Sequence, residues 1–352
     1  MKYLFVVIFV SSFSMGQSIQ LNEIVSSNGD NLYDEDGDTP DWIEVYNSSN
    51  ESINLSGYGI TDDINDLLKW TFPSVELAPS EFLVVFASNK DRKEQVVLWD
   101  AKIDWGDAWR YWIGNSEPIS NWELPQTDIG FWPLGQSGFG YGDNDDNTEI
   151  SQTISVYVRK EFEIEDPSAI YKALFHIDYD DGYIAYLNGL EFSRRNLGSP
   201  GSTVYHNTTS TALHEAEIYA GGFPEQLDID LNNFPLIDGT NTLAVEVHNY
   251  SSNSSDLSCI PFLTLGYGSI VDGVTEPNEY ITIPNSFLHT NFRLDSDGET
   301  LFLSSSDETI LDSINVIELE TDMSFGRENE GSDWGLFSEP TPGISNSNFS
   351  YE

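Results

Sequence analysis

Five strand-like runs open this chain and cannot close a sandwich by themselves. QLNEIVSS, DWIEVYN, INLSGYGI, LKWTFP and FLVVFAS lie between Gln20 and Ser88. Each is short, apolar or alternating, and bounded by Gly, Asn, Asp, Ser or Pro. In DWIEVYN the twofold period puts Trp42, Glu44 and Tyr46 on one face and Ile43 and Val45 on the other. A seven-stranded sandwich needs more than this, yet the run stops at NKDR, residues 89–92. Segments of the same kind return only from Leu288: RLDSDGETLFLSS, with a hairpin turn expected at Asp297-Gly298, then ILDSINV and DWGLFS. Two incomplete halves imply one discontinuous domain, because two truncated sandwiches would each expose unpaired edges. Phe86 and Phe302 are therefore expected in a single hydrophobic interior.

The stretch between the halves reads as a second β domain. It opens with Trp99, Trp105, Trp109, Trp112, Trp122 and Trp132, then runs through VYVRKEFEI, ALFHIDYDDGYIAYLNGLEFSRR and DGTNTLAVEVHNY. Asn188-Gly189, flanked by YIAYL and LEFSR, is a two-residue hairpin signal. Asp238-Gly239 leads into a strand with Leu243, Val245 and Val247 on one face and Ala244, Glu246 and His248 on the other. The Gly, Pro and acid in SIVDGVTEPNEY, residues 269–280, mark a return linker.

Composition limits the partners. The opening MKYLFVVIFVSSFSMGQS has a lysine, an apolar core from Tyr3 to Val10, then small and polar residues. That is the layout of a signal peptide over residues 1–16, too short to span a bilayer, and it implies a secreted or cell-surface protein. Lys and Arg number 14 against 59 Asp and Glu, a formal charge of −45. Such a surface repels nucleic acid and anionic lipid. With 39% hydrophobic residues the acid covers a folded core rather than a disordered tail. The acidity serves either solubility or divalent cations. The single cysteine, Cys259 in LSCIPFLTL, permits no internal disulfide and reads as a small buried hydrophobe.

The early LNEIVSSNGDNLYDEDGDTPDWIEVYN, INLSGYGITDD, LKWTFP and FLVVFASNKDR, with the late LHTNFRLDSDGETLFLSS, SFGR and DWGLFSEPTPG, together resemble the lamin-tail domain of bacterial surface proteins. That domain is an immunoglobulin-like β-sandwich. DDGYIAYLNG followed by TNTLAVEVHN resembles the galactose-binding-like jelly rolls that accompany it. LGQSGFGYGD, residues 134–143, looks like that module's LGYGD-type loop, interrupted at Gln136 to Gly138. The resemblance implies an all-β chain. Residues 17–96 and 285–346 would form the two halves of the lamin-tail domain, 97–272 an inserted jelly roll, 273–284 a linker and 347–352 a tail. In secreted bacterial proteins this pair often precedes a spore-coat-H-like kinase domain. No kinase Gly-rich loop, HRD or DFG motif occurs here, so phosphoryl transfer is not assigned. Either the chain is an N-terminal portion or its modules act without an enzyme.

Three constellations are candidates for chemistry. Asp34, Asp36, Asp38 and Asp41 in DEDGDTPD place hard oxygens at alternate positions around a glycine turn, a pattern that can wrap a structural Ca²⁺. Thr39 and Val45 occupy the positions where an EF-hand needs Gly and Glu, so it is not that motif. The plainer account is an acidic turn capping backbone amides. Asp143, Asp145 and Asp146 form a second acidic loop, and the jelly-roll resemblance implies a structural calcium there. The third set follows from alternation: His176, Asp178 and Asp180 share one face, as do Glu246 and His248. Were these strands neighbours, the five groups and a stacking Trp109 or Trp112 would make a sugar site. A solvated outer sheet face is the bland alternative. There is no GxSxG elbow and no HExxH, and no catalytic residue is assigned. The reading is a non-catalytic module binding glycan or another extracellular ligand. Its rivals are a structural spacer or accessory region and a hydrolase using acids of the middle domain.

Overall fold

The computed structural model describes residues 19–142, 145–331 and 333–346, with the backbone of 349–350. The leader 1–16, Asp143 and, that strand apart, the tail 347–352 lie outside the described residues. Strands dominate throughout, and the helical turns are three-residue 3₁₀ pieces, at Pro167–Ala169, Ile218–Ala220 and Glu328–Glu330. The chain divides into two compact units: Met1–Gln95 with Asn285–Glu352, and Val96–Pro284.

Besides a two-stranded sheet that pairs Ile53–Asn54 with Glu76–Leu77, the first unit has two larger sheets, each drawing strands from early and late parts of the sequence. The larger runs Leu288–His289, Phe82–Phe86, Trp42–Asn47, Ile19–Val25, Ser324–Arg327, Trp334–Phe337, Phe349–Ser350. The smaller runs Ile310–Asn315, Thr300–Ser304, Gly59–Thr61, Trp70–Thr71. Early strands thus pair directly with late ones, Glu23 opposite Gly326 and Ile60 opposite Leu303. Ile43, Val45, Val85, Leu301 and Leu303 share one buried cluster. Removing their apolar area from water is the main stabilising term, about 25 cal/mol per Å².

Two expectations about side chains fail here. Alternation turns Phe86 to the opposite face, where it lies beside Val25 and Trp42, while Phe302 is only half-buried. Their neighbours Val85 and Leu301 are the residues that belong to the shared core. Gly298 takes a positive φ of 95°, but the turn there joins no paired strands. Instead Thr300–Ser304 pairs with Ile310–Asn315, across the Ser305–Thr309 turn.

In the second unit a six-stranded sheet runs Leu134–Gln136, Ala108–Ile113, Ser155–Ile164, Gly239–His248, Gly182–Leu187, Leu190–Arg195. The opposing sheet runs Thr148–Glu149, Phe139–Tyr141, Leu257–Tyr267, Ile170–Tyr179, Glu225–Asp228, with Leu98–Ile103 also on Leu257–Tyr267. Val156, Val158, Leu243, Val245 and Val247 from one sheet and Phe175, Ile177, Leu263 and Leu265 from the other fill the interior. The unit is a β-sandwich. Asn188 and Gly189 adopt φ of 52° and 83°, the left-handed pair a two-residue hairpin requires, with Leu187 opposite Leu190. The chain crosses between sheets at Gln136 to Gly138, with Gly138 at φ 90°. That crossing is the physical content of the interruption in LGQSGFGYGD. Residues 273–284, read as a linker, pack instead on this unit: Ile281 is buried beside Ile218, Ile260 and Phe262. Cys259 is fully buried, and burial raises its thiol pKa.

Candidate binding cleft on the six-stranded sheet

The outward face of Gly239–His248 carries Ala244, Glu246 and His248, since Leu243, Val245 and Val247 point into the core. Tyr157 sits directly opposite Glu246 on one neighbouring strand, and Tyr186 opposite Ala244 on the other. The Tyr186 hydroxyl donates to Glu246 Oε1 at 2.7 Å. His248 Nε2 lies 3.1 Å from Glu246 Oε2, and its Nδ1 lies 2.8 Å from the carbonyl of Thr208. Above this floor, Trp122 stands edge-on to both tyrosines, with ring centroids 5.2 Å and 5.9 Å away. Trp122, Trp132 and Trp112 stack in series at 5.8 Å and 5.9 Å.

A cleft of about 540 Å³ results, lined by Trp122, Tyr157, Tyr186, Glu191, Arg194, Tyr205 and Glu246 among others. Arg194 grips Glu191 through Nε and Nη2, both at 2.8 Å, and donates to the carbonyls of Leu197 and Ser202. This bidentate pair fixes the loop after Leu190–Arg195 and holds the Glu191 carboxyl below its ordinary range. Burial and then the Glu246 charge raise the Tyr186 and Tyr157 phenols. Of the rings that line the cleft, Tyr205 is the most open to solvent, 57% exposed. The arrangement offers an aromatic wall and fixed polar groups, the combination that orients a small polar ligand.

The five polar groups expected on one surface do not converge. Glu246 and His248 belong to the six-stranded sheet, whereas His176 and Asp178 lie on Ile170–Tyr179 in the opposing one. Asp178 accepts from the amides of Glu217 and Ile218, and Asp180 from that of Ala216. Both carboxylates thus anchor the 214–218 loop, and burial raises Asp178 against those bonds. His176 is buried, which lowers its pKa. Trp109 is 1% exposed within the sandwich core and offers no stacking face. Trp112 is half-buried against Trp132 and donates to the carbonyl of Ser116.

In the first acidic loop three of the four aspartates gather around the ammonium of Lys90. Asp34, Asp36 and Asp38 present carboxylate oxygens within 4.8 Å of one another. Lys90 Nζ bonds all three, at 2.5, 2.6 and 2.9 Å. Asp34 Oδ1 also accepts from the amides of Asp36 and Asp38, the capping role of an acidic turn. Arg92 and Lys90 hold Asp36 at about 2. Against the cost of burial, His289 and Arg92 hold Glu35 at about 2 as well. Asp41 stands apart, accepting from the Asn28 amide. In the second loop Asp145 is buried, 3.5 Å from the Ser258 hydroxyl. Asp146 lies near enough to Cys259 to raise its thiol further.

Tyr157, Tyr186, Glu191, Arg194 and Tyr205 were missed by sequence reasoning. The outward position of Tyr157 was readable from VYVRK, where Val156 and Val158 point inward. Tyr205 lies in a loop whose position no local pattern announces.

The lamin-tail domain family matches residues 14–127. That span covers most of the first segment of unit one and continues into unit two. No curated protein matches the chain. Solved structures similar to it include a Bacteroides uniformis β-glucuronidase, at 13% identity over 68% of this chain and 27% of that one, TM-score 0.33. A family 2 glycosyl hydrolase from Bacteroides cellulosilyticus DSM 14838 is 11% identical over 67% of this chain and 38% of the other, TM-score 0.33. The Ruminococcus gnavus β-glucuronidase in complex with uronic isofagomine is 12% identical over 70% and 47%, TM-score 0.30. The chain spans less than half the length of each of these enzymes.

Proposed function

We propose that this is a secreted or cell-surface, non-catalytic module whose jelly-roll domain binds a neutral glycan in the cleft over Tyr157, Tyr186 and Glu246. The lamin-tail sandwich serves as its scaffold. The observation that carries the reading is the cleft's construction: an exposed Tyr205 ring at the rim and a Tyr186–Glu246 hydrogen bond in the lining, with the buried His248 backing Glu246. A sugar ring is apolar on its faces and polar at its edge, and such a site answers both. The Glu191 carboxylate is engaged by Arg194, so it supports a positioning rather than an acid–base role. Calcium in the second acidic loop would act structurally.

The test is a glycan array with the full chain and with Tyr205→Ala. Tyr205 is exposed, so the substitution leaves the core intact. Binding that weakens by about two- to tenfold, the order of one lost stacking contact, supports the reading. Absence of any glycan signal, or unchanged binding by the variant, favours the spacer role instead.

A further inference from the structure

Cations are scarce in this chain, 14 against 59 acidic residues, and three of them meet at one place. Arg110, Arg159 and Lys160 line a depression of about 400 Å³, together with Pro125, Gln126, Thr127, Asp128, Leu134 and Glu161 among others. Arg110 and Arg159 are direct cross-strand partners. Like charges so placed repel one another, a cost that the structure offsets far more fully for Arg159 than for Arg110.

Arg159 is spent. Its Nη1 donates to the carbonyls of Trp122, Leu124 and Thr127 at 2.9, 3.0 and 2.9 Å, and its Nη2 to Glu161 at 2.9 Å. Arg110 is not. Among the described residues its guanidinium makes one hydrogen bond, Nη1 to the Trp132 carbonyl at 2.7 Å, and Nε and Nη2 remain as donors. Lys160 Nζ has only long contacts, 3.3 Å to the Ala108 carbonyl and 3.4 Å to Asp107. Of the two acids in the lining, Glu161 is committed to Arg159 and Asp128 accepts from the Gly130 amide. Leu134, 62% exposed, and Pro125 supply an apolar wall, while Gln126 supplies an exposed amide.

We infer that this depression is a second ligand site, for the carboxylate of an acidic sugar. The fork of Arg110 would take the carboxylate, Lys160 would add charge, and Leu134 with Pro125 would face the ring. The volume suits one hexuronic acid residue. It stands independently of the tyrosine-lined cleft, and the two fail separately. Unchanged glycan binding by Tyr205→Ala bears on the cleft alone, and unchanged uronate binding by Arg110→Ala bears on this depression alone.

Calorimetric titration of the full chain with galacturonate, galactose and acetate tests it. The expected result is saturable galacturonate binding at least about tenfold tighter than galactose or acetate, weakening as salt rises. Arg110→Ala should abolish the preference and Arg110→Lys retain part of it, because a lysine keeps the charge but not the fork. Should Arg110→Ala melt early through loss of its hold on Trp132, Lys160→Gln gives the second reading, with a several-fold loss expected. Equal binding of galacturonate and galactose overturns the inference. So does acetate binding as tightly as the sugar acid, or a preference that survives both substitutions.

Discussion

Glu23 and Glu44 stand opposite each other on neighbouring strands, in register, and neither reaches solvent. Glu23 accepts from the hydroxyl of Ser324 and from the amide and hydroxyl of Thr341. Glu44 accepts from the side-chain amide of Asn22 at 2.8 Å and the backbone amide of Gly343 at 2.6 Å. The PTPG segment thus closes over two buried carboxyls. Burial raises both pKa values, Glu44 to about 8, with the charges of Glu23 and Glu330 adding to its shift.

The pH dependence follows with a definite sign. Glu44 has a folded-state pKa of about 8 against 4.5 unfolded. The folded state therefore holds the extra proton across that interval, and stability falls as pH rises through it. The contribution is full below 4.5 and gone above about 8, on the order of a few kcal/mol. Thermal melts between pH 5 and 8.5 should show a declining midpoint, and Glu44→Gln should flatten the decline. A midpoint rising over this range would contradict the assignment.

Lys90 fills the place an ion would take among Asp34, Asp36 and Asp38. Replacing it by methionine removes the ammonium and leaves three carboxylates facing one another. We expect Lys90→Met to destabilise the first unit by about 1–3 kcal/mol and to respond to calcium more strongly than the unsubstituted protein. At a hundredfold excess over Kd, calcium would restore roughly 2.7 kcal/mol. Melting in calcium against chelator, for both proteins, reads this directly.

Trp109 and Tyr205 should separate stability from recognition. Trp109→Ala empties a large volume in a closed core and should cost about 3–5 kcal/mol, visible as a lowered denaturant midpoint. Tyr205→Ala, at an exposed rim, should stay within about 0.5 kcal/mol of the parent. If the two midpoints coincide, the burial assigned to Trp109 is wrong.

Arg159 ties the 122–127 loop to the sheet through the carbonyls of Trp122, Leu124 and Thr127. Arg159→Met keeps the stem and loses those bonds. Limited proteolysis should then cut this loop at protease concentrations that spare the parent, with a loss of about 1–3 kcal/mol in stability. An unchanged cleavage pattern would show that the loop holds by its tryptophans alone.

What could be read in advance was local. The two faces of Trp42–Asn47, the Asn188-Gly189 hairpin and the burial of Cys259 each follow from alternation or turn chemistry within a few residues. Strand order is not local. Whether Glu246 shares a sheet with Asp178 depends on which strands meet, and neither strand carries that information by itself. Lys90 reaches Asp34 across 56 positions for the same reason. The Phe86 and Phe302 expectation placed the right strands together and picked the wrong parity on each. Trp109 and Trp112 looked equivalent as letters, yet one is core and the other packs in a stack.

Because the seven- and four-stranded sheets of the first unit pair early strands with late ones, synthesis from the N-terminus sets an order of events. Residues 19–95 leave the ribosome with Ile19–Val25 and Gly59–Thr61 still lacking their late partners. The second unit is contiguous and can mature while those edges wait. A chaperone that shields unpaired strands would therefore act on the earliest residues for longest.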